Sequence, residues 1–236
     1  MARQCVFVFP QVGITLAAIL SHRFEVECRD PVAKLHLTQY CEDHMATVHA
    51  PVLRKLLKKD GNAFTTAVRF QPDLSRFAGI DSLLTLLPSV RTRLTQLSAT
   101  LGGRVRFVFN GDAIRVDSFK KYMGLYGFEK SLFEVLSPTF EYGFALSGTG
   151  EFQHDSFVNN LATTEGGTHV NIVTSQIVAV IAGYFETKFK KSNAKLSKAS
   201  IKNKLHVFVN IRVTNPEFRS QASRFGLVCA LPPSPF

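Results

Sequence analysis

Two sets of residues could do chemistry in this chain. The first is Gly166-Gly167, inside the stretch SFVNNLATTEGGTHVNIVTSQIV from Ser156 to Val178. A glycine turn that feeds a helix can present free backbone N–H groups to a phosphate. Here no Lys-Ser/Thr follows and the GxGxxG spacing is missing. The pattern therefore favours a tight structural elbow, with Thr168 capping the helix, over a phosphate cradle. His169 lies one residue into that helix, where the dipole disfavours a cation and a neutral packed imidazole is expected.

The second set is cationic. Lys188, Lys190, Lys191, Lys195, Lys198, Lys202 and Lys204 fall within 17 positions, and no acid occurs from Thr187 to Pro216. Lys plus Arg outnumber Asp plus Glu by 28 to 18, a net charge of +10. That balance calls for an anionic partner, either a nucleic acid or a membrane surface. The lysine run is rich in Ser and Asn and lacks apolar staples, which favours contact with a nucleic-acid backbone over a merely solvated loop. Lysines act as point charges, so they would position a duplex without reading its bases.

Other chemistry is weaker. Cys5, Cys28, Cys41 and Cys229 form no CxxC pair and read as reduced thiols. Cys41, His44 and His49 are spaced loosely like metal ligands, but without a second clustered pair packing roles are favoured. No metal and no catalytic residue is assigned. The uncharged stretch from Gln4 to Ser21 after Arg3 resembles a signal peptide or short anchor. Pro10 and Gly13 break it too early for a spanning helix, and a buried strand-turn-helix explains the same residues.

The elements that must position these groups follow from periodicity. Val6 to Phe9 and Phe24 to Cys28 read as strands, and Leu16, Ile19 and Leu20 recur at helical spacing. Lys34 to His49 alternates only weakly. Asp60-Gly61 marks a turn before a strand from Phe64 to Phe70. Pro72 can open a helical stretch that Gly79 and Pro88 interrupt, and a composition shift there suggests a domain boundary. Val90, Leu94, Leu97 and Leu101 keep the 3.6-residue period of an amphipathic helix packed on a sheet.

In RVRFVFNGDAIRV, apolar residues alternate with arginines and Asn110-Gly111 supplies a type I′ hairpin turn. Phe119 to Tyr126 is a short helix capped by Asp117 or Ser118 and ended by Gly127. Phe140 to Ser147 and Ser156 to Thr163 read as strands. Val170, Val173, Ile177, Val180, Ile181 and Tyr184 then line one face of a long helix, with Asn171, Thr174 and Ser175 on its polar side. Leu205 to Val213 alternates as a half-buried strand. Strand, strand, long crossover helix, strand describes an α/β layer with one sheet face covered.

The run from Ser156 to Val178, the lysine-rich loop and IKNKLHVFVNIRVTNPEFRSQ together resemble the transducer domain of type II DNA topoisomerases, closer to the eukaryotic ATP-dependent form than to bacterial gyrase. VRFQPDLSRF, VRFVFNGDAIRVDSFKKYMGLY and EYGFALS fall in the same order, so the resemblance covers about Gly13 to Gln221. It implies an α/β (α+β) fold: the C-terminal part of a GHKL-type ATPase sheet in residues 1–75, then a transducer in residues 76–236 whose sheet is covered by a long crossover helix. It also implies ATP and Mg2+ as cofactors, double-stranded DNA as partner, a homodimeric clamp, no membrane, and a nuclear location or a DNA-containing organelle. DNA contact carries over most directly onto Lys188, Lys190 and Lys191, then onto Lys195 and Lys198.

Three departures from the family pattern qualify this. The magnesium-holding asparagine and the glutamate general base belong to sequence upstream of Met1. The glycine-rich ATP lid matches PQVGITL, which keeps Gly13 but has Thr15 in place of lysine. The Gln-Thr-Lys triplet that reaches the γ-phosphate reads Gln221-Ala222-Ser223, losing a charge-assisted contact of roughly 1.5–3 kcal/mol, with Arg224 adjacent. The departures cluster at both ends and the strand-passage tyrosine is missing. A gene segment that lacks the other ATPase and DNA-cleavage segments is therefore expected, rather than an inactive paralogue. The sequence reads as part of an ATP-hydrolysing isomerase, inactive alone, that couples nucleotide state to strand passage. The alternative is a stand-alone DNA-binding or scaffold module on the transducer fold.

Overall fold

The computed structural model describes residues 12–58, 61, 63–188, 197–214, 216–218 and 227–228. The expected strand from Val6 to Phe9 and the Asp60 turn residue lie outside them. The chain packs as two compact units that divide between Leu87 and Pro88.

The first unit begins with helix α1 (Val12–Ile19), then β1 (Ser21–Asp30), β2 (Leu35–Glu42), β3 (Thr47–Val48), β4 (Val52–Lys55) and β5 (Thr65–Pro72). Asp30 closes the β1–β2 turn by accepting from the backbone N–H of Val32 and Ala33 at 2.8 and 2.9 Å, an Asx turn. β1 is central: it pairs antiparallel with β2 on one side and β5 on the other, while β2 also carries β3 and β4. Ala17 and Ala18 of α1 pack on Phe24, Val26 and Cys41, the apolar side of the sheet. The opposite side holds ion pairs: Arg69 reaches Glu25 and Glu27, and Arg29 also binds Glu27. The alternation of β2 is weak because Gln39 falls on the side of Val26 and Cys41 while Tyr40 falls on the side of Glu25.

After β5, Asp73 caps a 3-10 turn (Leu74–Arg76) and Ser82 caps another (Leu83–Leu86). The helix expected from Pro72 is thus two short turns. In the second unit, α2 (Leu87–Thr100) has Pro88 in its first turn, where a missing N–H costs nothing. Its buried residues are Ser98, Ala99 and Thr100, whereas Val90 is exposed. The predicted stripe is therefore not the most buried line: Leu94, Leu97 and Leu101 are half-buried, and the fully buried residues lie beside it.

Next come β6 (Val108–Phe109) and β7 (Asp112–Ala113), joined through Asn110 and Gly111 at φ 51° and 90°. This is a much shorter hairpin than the arginine alternation suggested. α3 (Phe119–Gly124) is capped by Ser118, and Asp117 pairs with Lys121 instead. The remaining elements are β8 (Ser131–Ser137), β9 (Phe140–Leu146), β10 (Gln153–Val158), β11 (Leu161–Ala162), α4 (Thr168–Lys188), α5 (Lys198–Asn203), β12 (Leu205–Ile211), β13 (Glu217–Phe218) and β14 (Leu227–Val228). β8 went unread because it is an edge strand with Leu132 and Val135 exposed.

The main sheet has the order β11-β10-β12-β9-β8. β10 and β12 are parallel neighbours, Gln153 opposite His206 through Val158 opposite Ile211, so α4 is the crossover between them. Three expectations are corrected. Ser156 to Thr163 is a hairpin, because Asn159 and Asn160 take φ of 50° and 67°, a region asparagine tolerates. On α4, Val180 and Tyr184 are exposed while Thr174, Val178 and Ala182 are buried. The covered line shifts to Val178 and Ala182, which join the core formed with β12 and Ile201 of α5, and leaves the predicted face open toward the C-terminal end.

β12 is buried on both faces rather than half-buried. Leu205, Val207 and Val209 pack against Val173, Ile177 and Val178 of α4 and Ile201 of α5. Phe208 packs oppositely, with Phe157, Ala99 of α2 and Phe119 and Met123 of α3. The sheet is thus covered on both sides. Burying each of these large apolar side chains contributes roughly 1.5–3 kcal/mol. By length and composition α4 could cross a membrane, but its apolar face is part of this core.

Candidate nucleic-acid interface and its elbow

The elbow is built from β10, the β11 turn and the start of α4. Gly166 and Gly167 take φ of 71° and 147°, values that side-chain-bearing residues avoid. A Cβ on Gly166 would stand 3.1 Å from His154 Nε2, so the imidazole closes over the bare backbone. The Gly166 N–H donates to Thr163 O at 2.9 Å, and the Asn171 N–H to Gly167 O at 3.0 Å. His169 is fully buried, its Nε2 3.1 Å from Thr163 Oγ1, which lies 2.6 Å from Ser156 Oγ. Burial, with His154 nearby, pushes its pKa down to about 4, so the imidazole is neutral at pH 7. Glu165, the exposed acid just before the glycines, disfavours an anion at this turn.

α4 carries the chain from the elbow to Lys188 at its C-terminal end, and α5 begins the return. Lys188 is exposed; its Nζ donates to Tyr184 Oη at 2.5 Å and sits 5.0 Å from that ring centroid. One hydrogen bond leaves an ammonium two further donors. Ser197 caps α5 by accepting from the Ser200 N–H at 3.0 Å, and buried Ile201 anchors it to the α4 core. Lys198, Lys202 and Lys204 are therefore held on an ordered, exposed turn, and Lys202 Nζ lies 4.8 Å from the Phe152 ring centroid. Lys190, Lys191 and Lys195 lie outside the described residues.

The two ends of the predicted nucleotide grip differ in what is described. Gln221 and Ser223 lie outside the described residues. Gly13 and Thr15 are exposed in α1, whose sequence VGITLAAI carries no cation, and a Cβ on Gly13 would meet nothing within 4 Å. A polyphosphate needs charge-assisted donors or close backbone approach. α1 supplies neither a cation nor a cradle that only glycine could line, so these residues do not fit the triphosphate end of ATP. Cys41, His44 and His49 do not converge either: Cys41 is in the α1 core, while His49 pairs with Glu42 and stacks on Tyr40.

A polar cluster inside the second unit had no sequence signal. Tyr122 of α3 donates to Asp155 Oδ1 at 3.0 Å, and His206 Nε2 lies 2.8 Å from Asp155 Oδ2. Burial alone would raise the Asp155 pKa, but hydrogen bonds from His206, Tyr126 and Tyr122 hold it below the ordinary carboxylate range. Burial and the Asp155 charge in turn push Tyr122 up to about 12. His206 and Asn210 alternate with apolar residues and so looked solvent-facing. Both are buried and partnered, Asn210 donating to Glu141 Oε1 at 2.6 Å. Partners far apart in sequence leave no local pattern.

A family model described as DNA gyrase B matches residues 118–224. DNA topoisomerase 2 of Saccharomyces cerevisiae is 32% identical over 248 residues, covering 93% of this chain and 17% of the relative. DNA topoisomerase 2 of Arabidopsis thaliana is 35% identical over 237 residues, with 93% and 16% covered. The crystal structure of the ATPase and transducer domains of DNA topoisomerase II from Balamuthia mandrillaris superimposes with a TM-score of 0.80 at 28% identity, over 90% of this chain and 54% of that one.

Proposed function

From a chain related in sequence and fold to the ATPase and transducer region of eukaryotic type II DNA topoisomerases, we propose that it serves as a coupling segment that touches duplex DNA. The chain spans 17% and 16% of the length of the two curated relatives. Strand passage, ATP hydrolysis with Mg2+ and the homodimeric clamp belong to the proposed larger assembly, in the nucleus or a DNA-containing organelle. Residues 1–75 would then be the end of the ATP-binding domain and residues 76–236 the transducer.

The observation that carries this reading is the β10–α4–β12 crossover. A 21-residue helix rises about 1.5 Å per residue, so α4 spans roughly 30 Å. One end is locked by the glycine elbow and the other opens into the lysine segment. Such a lever converts a small displacement at the elbow into a displacement of the cationic end. Lys188, Lys190 and Lys191 would neutralise backbone phosphates, with Lys195 and Lys198 beside them. The test is duplex binding across a salt series. Replacing Lys188, Lys190 and Lys191 with Gln should weaken binding and flatten the slope of log K against log salt by about 0.9 for each contacting lysine. Unchanged affinity and slope would refute the assignment.

A further inference from the structure

Within the first unit, three segments converge on the end of the sheet nearest α1. His22 stands at the start of β1, His44 in the β2–β3 turn, and Asp73 directly after β5. His22 Nε2 is 3.6 Å from Asp73 Oδ1 and His44 Nε2 is 3.5 Å from Asp73 Oδ2. One ligand atom from each of the three lies within 4.8 Å of the others.

Backbone hydrogen bonds fix the arrangement. The N–H groups of Asp43, His44 and Asp73 donate to the carbonyls of His22, Ser21 and Leu20 at 2.9, 3.1 and 2.9 Å. The turn that presents His44 is unusual: Asp43, His44 and Met45 have φ of 50°, 59° and 68°. Three successive non-glycine residues in the left-handed region cost stability and persist only where the surroundings enforce them.

The decisive detail is the His44 tautomer. Its Nδ1 lies 3.0 Å from Ile19 O. A carbonyl can only accept, so Nδ1 bears the proton, and in a neutral ring Nε2 is a lone pair. That lone pair faces a carboxylate. That carboxylate is Asp73, fixed in place by hydrogen bonds from Ser75 and Arg76. Its Oδ1 accepts twice from Ser75, and Oδ2 accepts from Arg76 Nε at 3.0 Å. Oδ2 therefore keeps one lone pair toward His44. The lone pairs of His44 Nε2 and Asp73 Oδ2 then point at each other across 3.5 Å, a gap that a bridging metal ion or a second proton on the ring would fill. An imidazole that donates Nδ1–H to a backbone carbonyl and points Nε2 inward is also how metal-bound histidines are oriented.

We infer that His22, His44 and Asp73 form a site for a divalent transition-metal ion of the Zn2+ class, clipping β1, the β2–β3 turn and the end of β5 together. Tetrahedral zinc with ligands at 2.0–2.2 Å spaces its ligand atoms by about 3.3 Å, so small side-chain adjustments close the site. Two imidazoles and one carboxylate suit zinc. The His22 side chain is half exposed, which provides an entry path and leaves the fourth position to water.

The experiment titrates the chelator-stripped 236-residue chain with Zn2+ alone by calorimetry, repeats it with Co2+ followed by visible absorption, and records thermal melts. One tight ion per chain and a higher Tm with Zn2+ are expected. Asp73 also caps the Leu74–Arg76 turn, so the primary variant is His22→Ala, at a half-exposed position. It should keep the metal-free Tm of the parent, lose at least 10-fold in Zn2+ affinity and show no Zn2+-induced rise in Tm. His44→Gln should lose at least as much. The inference is overturned if the parent binds no Zn2+, as when a proton alone bridges His44 and Asp73. It is equally overturned if His22→Ala binds like the parent, or if the Co2+ complex shows a thiolate charge-transfer band, which would assign binding to cysteines.

Discussion

Gly166 shows how much one missing side chain can decide. Its φ of 71° and the His154 ring 3.1 Å from a would-be Cβ both penalise a larger residue. Gly166→Ala should destabilise the chain by about 1–3 kcal/mol, measured by urea unfolding. A loss below a few tenths of a kcal/mol would mean that the elbow relaxes freely. At this scale the glycine pair and Asn110-Gly111 were legible, because backbone conformation is local chemistry. The roles of His44, Asp155 and His206 were not, since each is defined by a partner from another segment.

Among the elements, the first-unit sheet depends on charge as well as apolar burial. Glu27 on β1 accepts from Arg69 of β5 at 2.9 Å and from Arg29 at 2.8 Å, and His36 Nε2 of β2 lies 3.1 Å from Oε1. The Arg69 hydrogen bond, then that of Arg29, lowers the Glu27 pKa from 4.5 to about 2. A depressed carboxylate pKa contributes stability that is fully present above about pH 4.5 and is lost as the pH falls toward about 2. Glu27→Gln should therefore be less stable than the parent at pH 7, and the gap should close across that window. A pH-independent difference in unfolding midpoint would show that the arginines do not stabilise the charge. Register, not charge pairing, explains why β2 and β3 escaped a reading based on alternation. Gln39 stands opposite Val26 on the apolar side and Tyr40 opposite Glu25 on the charged side, and β3 is exposed, so the binary pattern blurs.

For the whole molecule, the proposed coupling role needs two ends, and they are unequally furnished. The α4–α5 end presents exposed lysines on ordered turns, whereas α1 brings no cation to a nucleotide. The purified 236-residue chain should accordingly show no ATP turnover above background in a phosphate-release assay, with or without duplex DNA. Measurable, Mg2+-dependent turnover would refute this. The exposure of Val180 and Tyr184 on α4 is also a property of the assembled sheet, since helix periodicity alone assigned both to the buried face.

The sequence by itself determined the crossover topology, the elbow and the concentration of positive charge. Glycine pairs, helical periods and charge runs act over a few residues and leave local signatures. Only the tertiary structure decided that β12 is covered on both faces, that Asp155 meets Tyr122 and His206, and that His22, His44 and Asp73 meet. Those outcomes depend on residues dozens of positions apart competing for the same space and the same hydrogen bonds, and chain order does not encode that competition in any short stretch.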